Sequence, residues 1–451
     1  MRPPRSRFSR LSRRSLLHTL TVGGTAGLAG CLDSLPRRDP PATPYPEEVP
    51  RSDGAGYTHT RRSGNRVADW RGDITEAAAF DVNVPGTPVW VAGTAIDFGQ
   101  REVRSQWAVA LEDGSVRGYY VTDDGVESAE IGPDRLDGPP VVSSVAPRLL
   151  THPESSPYTS PIPCRKQLVT VGDDGVVVFQ EITAEYDLVH PDHWLDKPRR
   201  VFDVNALPDA RIVSSRRTVC LFGDATDEYG HGALGDSLEG GSIVAIDTDD
   251  WMVSRFSPPE GTVFEGTAPI VTWLDRDPAQ LVATASDAQD GARVVAIDTD
   301  TGAIRSGPPV GTGNRWRHTL AVDSFGPNGE EEIAAVRTPH IGGVAEFYRP
   351  TDNALELVAT DNGGYQSHVL GSRNLDGGLS GTFSDGNQAL LLVPTRDRTE
   401  LAFLRRVSSG VERYETLPIG GKLTTNIAGA NEDATIAAGS EGRVRFWVGQ
   451  R

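Results

Sequence analysis

The residues best suited to chemistry in this sequence are two cysteines, Cys164 and Cys220, the histidines of His190-Pro-Asp-His193, and His231 in the stretch DATDEYGHGALGDSLEGG. Two histidines three apart could share a metal ion on a helix. Pro191 and the loop-like composition oppose a helix, and no third ligand follows, so no metal site is assigned there. Cys164 and Cys220 cannot form a zinc site by themselves. They either pair as a disulfide, or Cys220, in the apolar run TVCLF, stays a buried thiol. No G-x-S-x-G, H-E-x-x-H or phosphate loop occurs, and serine, histidine and aspartate are scattered without a triad pattern. Carboxylates are too numerous for a glycosidase pair to be chosen. No catalytic residue is assigned and no enzyme is expected. Trp90, Trp107, Trp273, Trp316 and Trp447 lie in or beside strand-like runs, where core packing outweighs sugar stacking.

The elements that must position these residues are strands. From about Val67 onward no long stretch has helical periodicity. Short runs of Val, Ile, Phe and Tyr alternate with Asp-Gly, Glu-Gly and Gly-Gly turns, the pattern of β-hairpins. Seven hairpins can be laid out, beginning at Trp107, Leu168, Val219, Leu281, Ile333, Leu390 and Thr435. They recur about every 45 to 65 residues, the span of one four-stranded propeller blade. One such sheet buries too little apolar area alone, whereas radial stacking covers both faces. The last hairpin ends at the end of the chain with no outer strand to follow. A segment within VADWRGDITEAAAFDV, from Val67, is expected to supply it and close the ring. The expected fold is all-β: one β-propeller of seven four-stranded blades over residues 66–451. The insertion Asp224–Gly241 interrupts the third hairpin and reads as a solvated acidic loop on one rim, where long loops also carry function.

VAIDTD occurs twice, 51 residues apart, from Val244 and from Val295. Each copy ends the second strand of a hairpin, so Asp247 and Asp298 read as turn formers that bind nearby backbone N–H groups. GSIVAIDTDDW and ARVVAIDTDTGAIRSG resemble the repeat of quinoprotein-type (PQQ-like) propellers. AVDSFGPNGEEEIAAV and NLDGGLSGTFSDGNQALLLV resemble the FG-GAP repeat of integrin-like propellers. The first resemblance implies a quinone cofactor only where a ring-stacking tryptophan, cation ligands and often a vicinal disulfide are present, and none is found. The second implies calcium in loops with acids at alternating positions. Here one loop offers only Asp323, Asn328 and Glu332, and another Asp376, Asp385 and Asn387. Acidic turns are the expectation, with calcium the alternative and no other cofactor.

Residues 1–30 hold six arginines and no acid, then a short apolar stretch from Leu16 to Ala29. Ser12-Arg13-Arg14-Ser15-Leu16-Leu17 resembles a twin-arginine export signal, and Leu28-Ala29-Gly30-Cys31 resembles a lipobox. Together they imply a leader over 1–30, export by way of Arg13 and Arg14, and lipid attachment at Cys31. Residues 31–65, rich in proline and charge, read as a flexible tether. The resulting location is the outer face of the cytoplasmic membrane. The net charge is -18, and loss of the leader takes it to -24. Such a surface repels phosphate backbones, and no basic patch with interleaved aromatics appears, so nucleic acid is not expected as a partner. Lysine is confined to Lys166, Lys197 and Lys422. Scarce lysine beside abundant aspartate resembles proteins of salt-loving archaea.

These readings converge on a monomeric, lipid-anchored propeller that binds or scaffolds through its loops and central channel, with a protein or glycan as ligand. The alternatives are a cell-surface carbohydrate-active propeller and a lipoprotein that assembles envelope complexes, the latter by analogy of fold alone.

Overall fold

Each of the seven expected hairpins supplies the two middle strands of a four-stranded antiparallel sheet. The computed structural model describes residues 54–96, 103–182, 195–274, 279–312 and 315–450. The leader, Arg13, Arg14, Cys31 and the His190–His193 pair lie outside the described residues. Two strands precede the blades, β1 (Ala55–Gly56) and β2 (Ala78–Asn83). Blade 1 comprises β3 (Pro88–Ala95), β4 (Val103–Leu111), β5 (Val116–Thr122) and β6 (Val126–Ala129). A short strand, β7 (Val142–Ser143), pairs with β1. Blade 2 comprises β8 (Ile162–Cys164), β9 (Gln167–Val171), β10 (Val176–Glu181) and β11 (Arg199–Asp203). Blade 3 comprises β12 (Val213–Ser215), β13 (Thr218–Gly223), β14 (Ser242–Asp247) and β15 (Val253–Phe256). Blade 4 comprises β16 (Val263–Thr272), β17 (Gln280–Ser286), β18 (Arg293–Asp298) and β19 (Ile304–Ser306). Blade 5 comprises β20 (Arg317–Asp323), β21 (Glu332–Arg337), β22 (Gly343–Pro350) and β23 (Leu355–Tyr365). Blade 6 comprises β24 (Leu379–Gly381), β25 (Leu390–Pro394), β26 (Glu400–Val407) and β27 (Gly410–Pro418). The last blade has three consecutive strands, β28 (Leu423–Gly429), β29 (Thr435–Ser440) and β30 (Arg443–Val448).

Its fourth strand comes from the other end of the chain. β2 pairs antiparallel with β30, with Phe80 opposite Phe446 and Val82 opposite Val444. This is the closure anticipated for the segment after Val67, and it makes a single seven-bladed ring. Neighbouring blades share apolar clusters. Val91, Trp107 and Val109 of blade 1 pack on Ala428, Val444 and Phe446 of blade 7, with the Trp107 and Phe446 rings edge to face at 5.4 Å. Val142 and Leu149, beyond the outer strand of blade 1, pack back on Ala92, Ala108 and Ala110 of that blade. The turn aspartates behave as expected: Asp247 Oδ1 accepts from the N–H of Asp249, and Asp298 Oδ1 from those of Asp300 and Thr301. Trp107, Trp316 and Trp447 are buried, in agreement with their reading as packing residues. Among the described residues no helix is long and apolar enough to cross a membrane.

The ring has two ends. The inner strand of every blade begins at the end where the middle hairpins turn, here the cap face, and finishes at the opposite end, the base. The insertion Asp224–Gly241 follows β13 and so belongs to the cap face; Asn431, after β28, belongs to the base.

One boundary differs from expectation. The tether was expected to run to residue 65, but from Gly54 the chain is buried along the propeller axis. Ala55, Tyr57, Thr58 and Thr60 are each at most 2% exposed. This axial segment bonds in turn to the inner wall of the ring. Gly54 O accepts from Ser144 N, Arg62 O from Ser214 N, Ser63 O from Val271 N, and Arg66 O from Ser380 N. Asn65 exchanges two bonds with the backbone of Val322, and Asn426 Nδ2 donates to Thr58 O at 2.9 Å. Against blade 1 the approach is so close that a Cβ on Gly56 would stand 2.1 Å from Gly93 O. Polar side chains without periodicity suit this position, because inner strands offer unpaired backbone groups that must find partners.

Candidate functional site

The axial segment is held by a buried charge cluster. Thr58 Oγ1 donates to Asp376 Oδ2 at 2.6 Å, Arg66 Nε to Asp376 Oδ1 at 3.1 Å, and Arg211 also pairs with Asp376. Burial by itself would raise the Asp376 carboxyl, but Arg211 and Arg66 outweigh it and hold the group well below the usual carboxylate range. Burial pushes His59 down to about 3, so its ring is neutral at pH 7. A cavity of about 20 Å³ beside Tyr57, His59 and Ser160 has room for a single water. His59 Nε2 and Ser160 Oγ have no protein partner and suit such a water.

Above this cluster the insertion does not behave as a solvated loop. Tyr229, Ala233, Leu234 and Glu239 are buried. It folds inward because Ala233 and Leu234 pack on Trp316 and Leu375, while Gly371 N donates to Ala233 O at 2.9 Å. Arg373 clamps the arrangement: Nη2 binds Asp236 at 2.6 Å and Nε binds Asp209 at 3.0 Å. The insertion is therefore a cap across the mouth of the filled channel.

Histidines gather beneath and beside it. The His318 ring stacks on Trp316 at 5.2 Å, His368 meets Trp316 edge to face at 5.0 Å, and His340 lies 6.1 Å from His368. His318 bonds Ser367 Oγ and the Leu375 carbonyl, each at 2.9 Å. Burial pushes His368 down to about 4 and His318 well below its ordinary value, and it lowers His340 as well. His231 bonds Glu265, whose other oxygen accepts from Ser286 Oγ.

Glu239 is the least compensated group. Burial, followed by the charges of Glu265, Asp236 and Asp209, pushes its carboxyl well above the usual range. Asp209 is raised by burial and Asp236 despite its bond to Arg373. Two facing carboxyls in different surroundings are the elements of a general acid–base pair. Glu239 and Glu265 are each 5% exposed, however, and Trp316 is only 2% exposed, so a sugar chain has no access to them here.

The outer rim of the cap is apolar. Ile341 and Leu370 are 65% and 62% exposed, and Val369, Leu238 and Tyr158 are also open to solvent. Arg373 ties this rim together, lying 4.3 Å over the Tyr158 ring while it holds Asp236, two residues before Leu238. A broader recess of about 620 Å³ lies elsewhere, along Val116–Tyr119 and Ser128–Gly132 on the outer edge of blade 1. Its charged groups, Arg117, Glu130 and Asp134, do not form a cluster comparable to the one under the cap.

The other candidates read from the sequence fall as follows. Glu332 is taken up by Arg349 and Arg406, and Asp376 by Thr58, Arg66 and Arg211, so neither FG-GAP-like loop gathers its acids around one point. Cys164 and Cys220 are buried in one apolar cluster without a disulfide between them, and burial pushes the Cys220 thiol up to about 12. Of the sequence candidates His231 and Trp316 enter the cap cluster; Glu239, Glu265, His318, His340 and His368 were not singled out by spacing.

No family model matches the sequence, and no curated protein matches it. Among solved structures, BamB from Moraxella catarrhalis is similar at 12% identity with a TM-score of 0.43, covering 83% of this chain and 99% of that one. The Dos1 propeller is similar at 10% identity and a TM-score of 0.42, covering 83% and 95%. The computationally designed Ika8 protein follows at 11% and 0.45, covering 81% and 98%. The assignment as a propeller rests on the sheet order and ring closure of this chain.

Proposed function

We propose that this chain is a lipid-anchored extracytoplasmic β-propeller that acts as a binding module and takes a protein partner on its cap face. The observation that carries the reading is the gathering of exposed apolar side chains around the cap. Of eight exposed large hydrophobic residues among those described, five (Tyr158, Leu238, Ile341, Val369 and Leu370) lie there. Clustered apolar exposure on a folded ring points to an interaction surface. Because the chain's own segment fills the channel, ligand binding falls to the loops.

The leader-like residues around Arg13-Arg14 and Cys31 support export and lipid attachment. Expression of the full chain with Cys31→Ser tests the anchor. The wild type is expected to sediment with membranes and the variant to remain in the soluble extracytoplasmic fraction. A variant that still sediments with membranes argues against lipid attachment.

A further inference from the structure

We propose that Glu239, Glu265 and Tyr229 form a binding site for a hard divalent cation of the calcium class beneath the cap. The backbone sets the geometry. Gly240 N donates to Phe264 O at 3.0 Å and Phe264 N to Gly240 O at 2.8 Å, an antiparallel bridge between the cap and β16. One step along that bridge Glu239 stands directly opposite Glu265. Residues so placed bring their Cβ atoms to about 4.5–5.5 Å on one side of the ladder, where like charges repel. A fold that holds two buried carboxyls in that relation needs a positive charge or a proton between them.

The protein supplies no such charge to Glu239. Among the described residues no cation pairs with its side chain and no group donates a hydrogen bond to it. Burial and then the charges of Glu265, Asp236 and Asp209 act on it, while Arg373 is engaged by the two aspartates. Glu265 is held in place by His231 on one oxygen and Ser286 on the other.

A second observation comes from Tyr229. It is 7% exposed, its Oη has no hydrogen-bond partner, and its ring lies 5.9 Å from that of His231. The acids that act on this phenol are Glu265, Glu239 and, more weakly, Asp287. The unpartnered phenol thus stands beside His231, which bonds Glu265.

The donor set selects the ion. Two carboxylates and a phenol oxygen are hard oxygen ligands, which suit calcium better than thiophilic or imidazole-seeking metals. Among the described residues no three His, Cys, Asp or Glu side chains form a group that could hold a metal ion, so the phenol and water have to complete the sphere. The two glutamates together carry the charge that one divalent ion neutralises. Bound there, the ion would tie the cap, through Glu239 and Tyr229, to β16 through Glu265.

Terbium luminescence excited through tyrosine tests the site on the purified full chain after chelator treatment. The wild type is expected to give a saturable signal that calcium displaces, and calcium is expected to raise its melting temperature. Glu239→Gln should weaken terbium binding at least tenfold, and Tyr229→Phe should remove most of the sensitised emission. Glu412→Gln, on the exposed edge of blade 6, should leave both unchanged. Titration calorimetry of calcium into the wild type gives a reading that does not depend on any variant. The proposal is overturned if calcium neither binds nor stabilises the wild type, or if Glu239→Gln retains wild-type terbium affinity. It is equally overturned if Glu239→Gln melts higher than the wild type while calcium has no effect, since the carboxyl then carries a proton.

Discussion

Thr58 Oγ1 donates a hydrogen bond of 2.6 Å to Asp376 Oδ2 across 318 positions of the chain. That contact fastens the axial segment to the loop that leads into blade 6, and Arg66 and Arg211 complete it. The segment follows no strand pattern, yet it bonds to the inner wall around the ring. The channel of this propeller is thus part of the core.

The cluster should be costly to break. Asp376→Ala leaves Arg66 and Arg211 buried without a counter-charge, and loss of one member of such a set costs about 3–5 kcal/mol. Thr58→Val removes one bond to a charged group and should cost about 1–3 kcal/mol. Urea denaturation of the two variants at pH 7 reads both values. Equal, small losses would contradict the role given to Asp376.

Acid should weaken the fold well above the carboxylate range. His59, His318 and His368 are held neutral, with His59 at about 3 and His368 at about 4. Their folded values lie below the unfolded value of about 6.5. The unfolded chain therefore binds more protons as pH falls through 6.5, and stability present at pH 7 is lost progressively on the way down. Each group contributes a slope of up to about 1.4 kcal/mol per pH unit. Denaturation at pH 7, 6 and 5 should show this fall, and His368→Asn should reduce its steepness. A flat profile between pH 7 and 5 would show that these rings are not held neutral.

How much of this was legible in the sequence follows from the kind of physics involved. The blades were legible because alternating Val, Ile and Phe joined by Asp-Gly turns admits few arrangements other than hairpins, and the unpaired last hairpin called for a strand from near Val67. The axial segment was not. Thr58, Asn65 and Arg66 look like any polar tether until residues of the ring more than 140 positions away supply their partners. The cap was hidden for a similar reason: Tyr229, Ala233, Leu234 and Glu239 are spaced irregularly among glycines, and the groups they cover lie in blades 4 to 6. Cys164 and Cys220 illustrate the limit of counting residues, since both reach the same cluster without a disulfide between them.

The thiols themselves give a direct check. With Cys220 buried and its thiol pushed up to about 12, the thiolate fraction at pH 8 is negligible. Iodoacetamide should leave Cys220 unlabelled in the native protein and label both Cys164 and Cys220 after denaturation without reductant. Labelling that appears only after reduction would mean that the two are joined.

The central claim, that this propeller engages its partner through the cap face, is tested most directly by site-specific photocrosslinking in native membranes. A benzophenone amino acid at Ile341 or Leu370 should yield an adduct of one defined mass, and the same group at Met252, exposed at the base, should yield none. Adducts from Met252 with none from Ile341 and Leu370 would contradict the account.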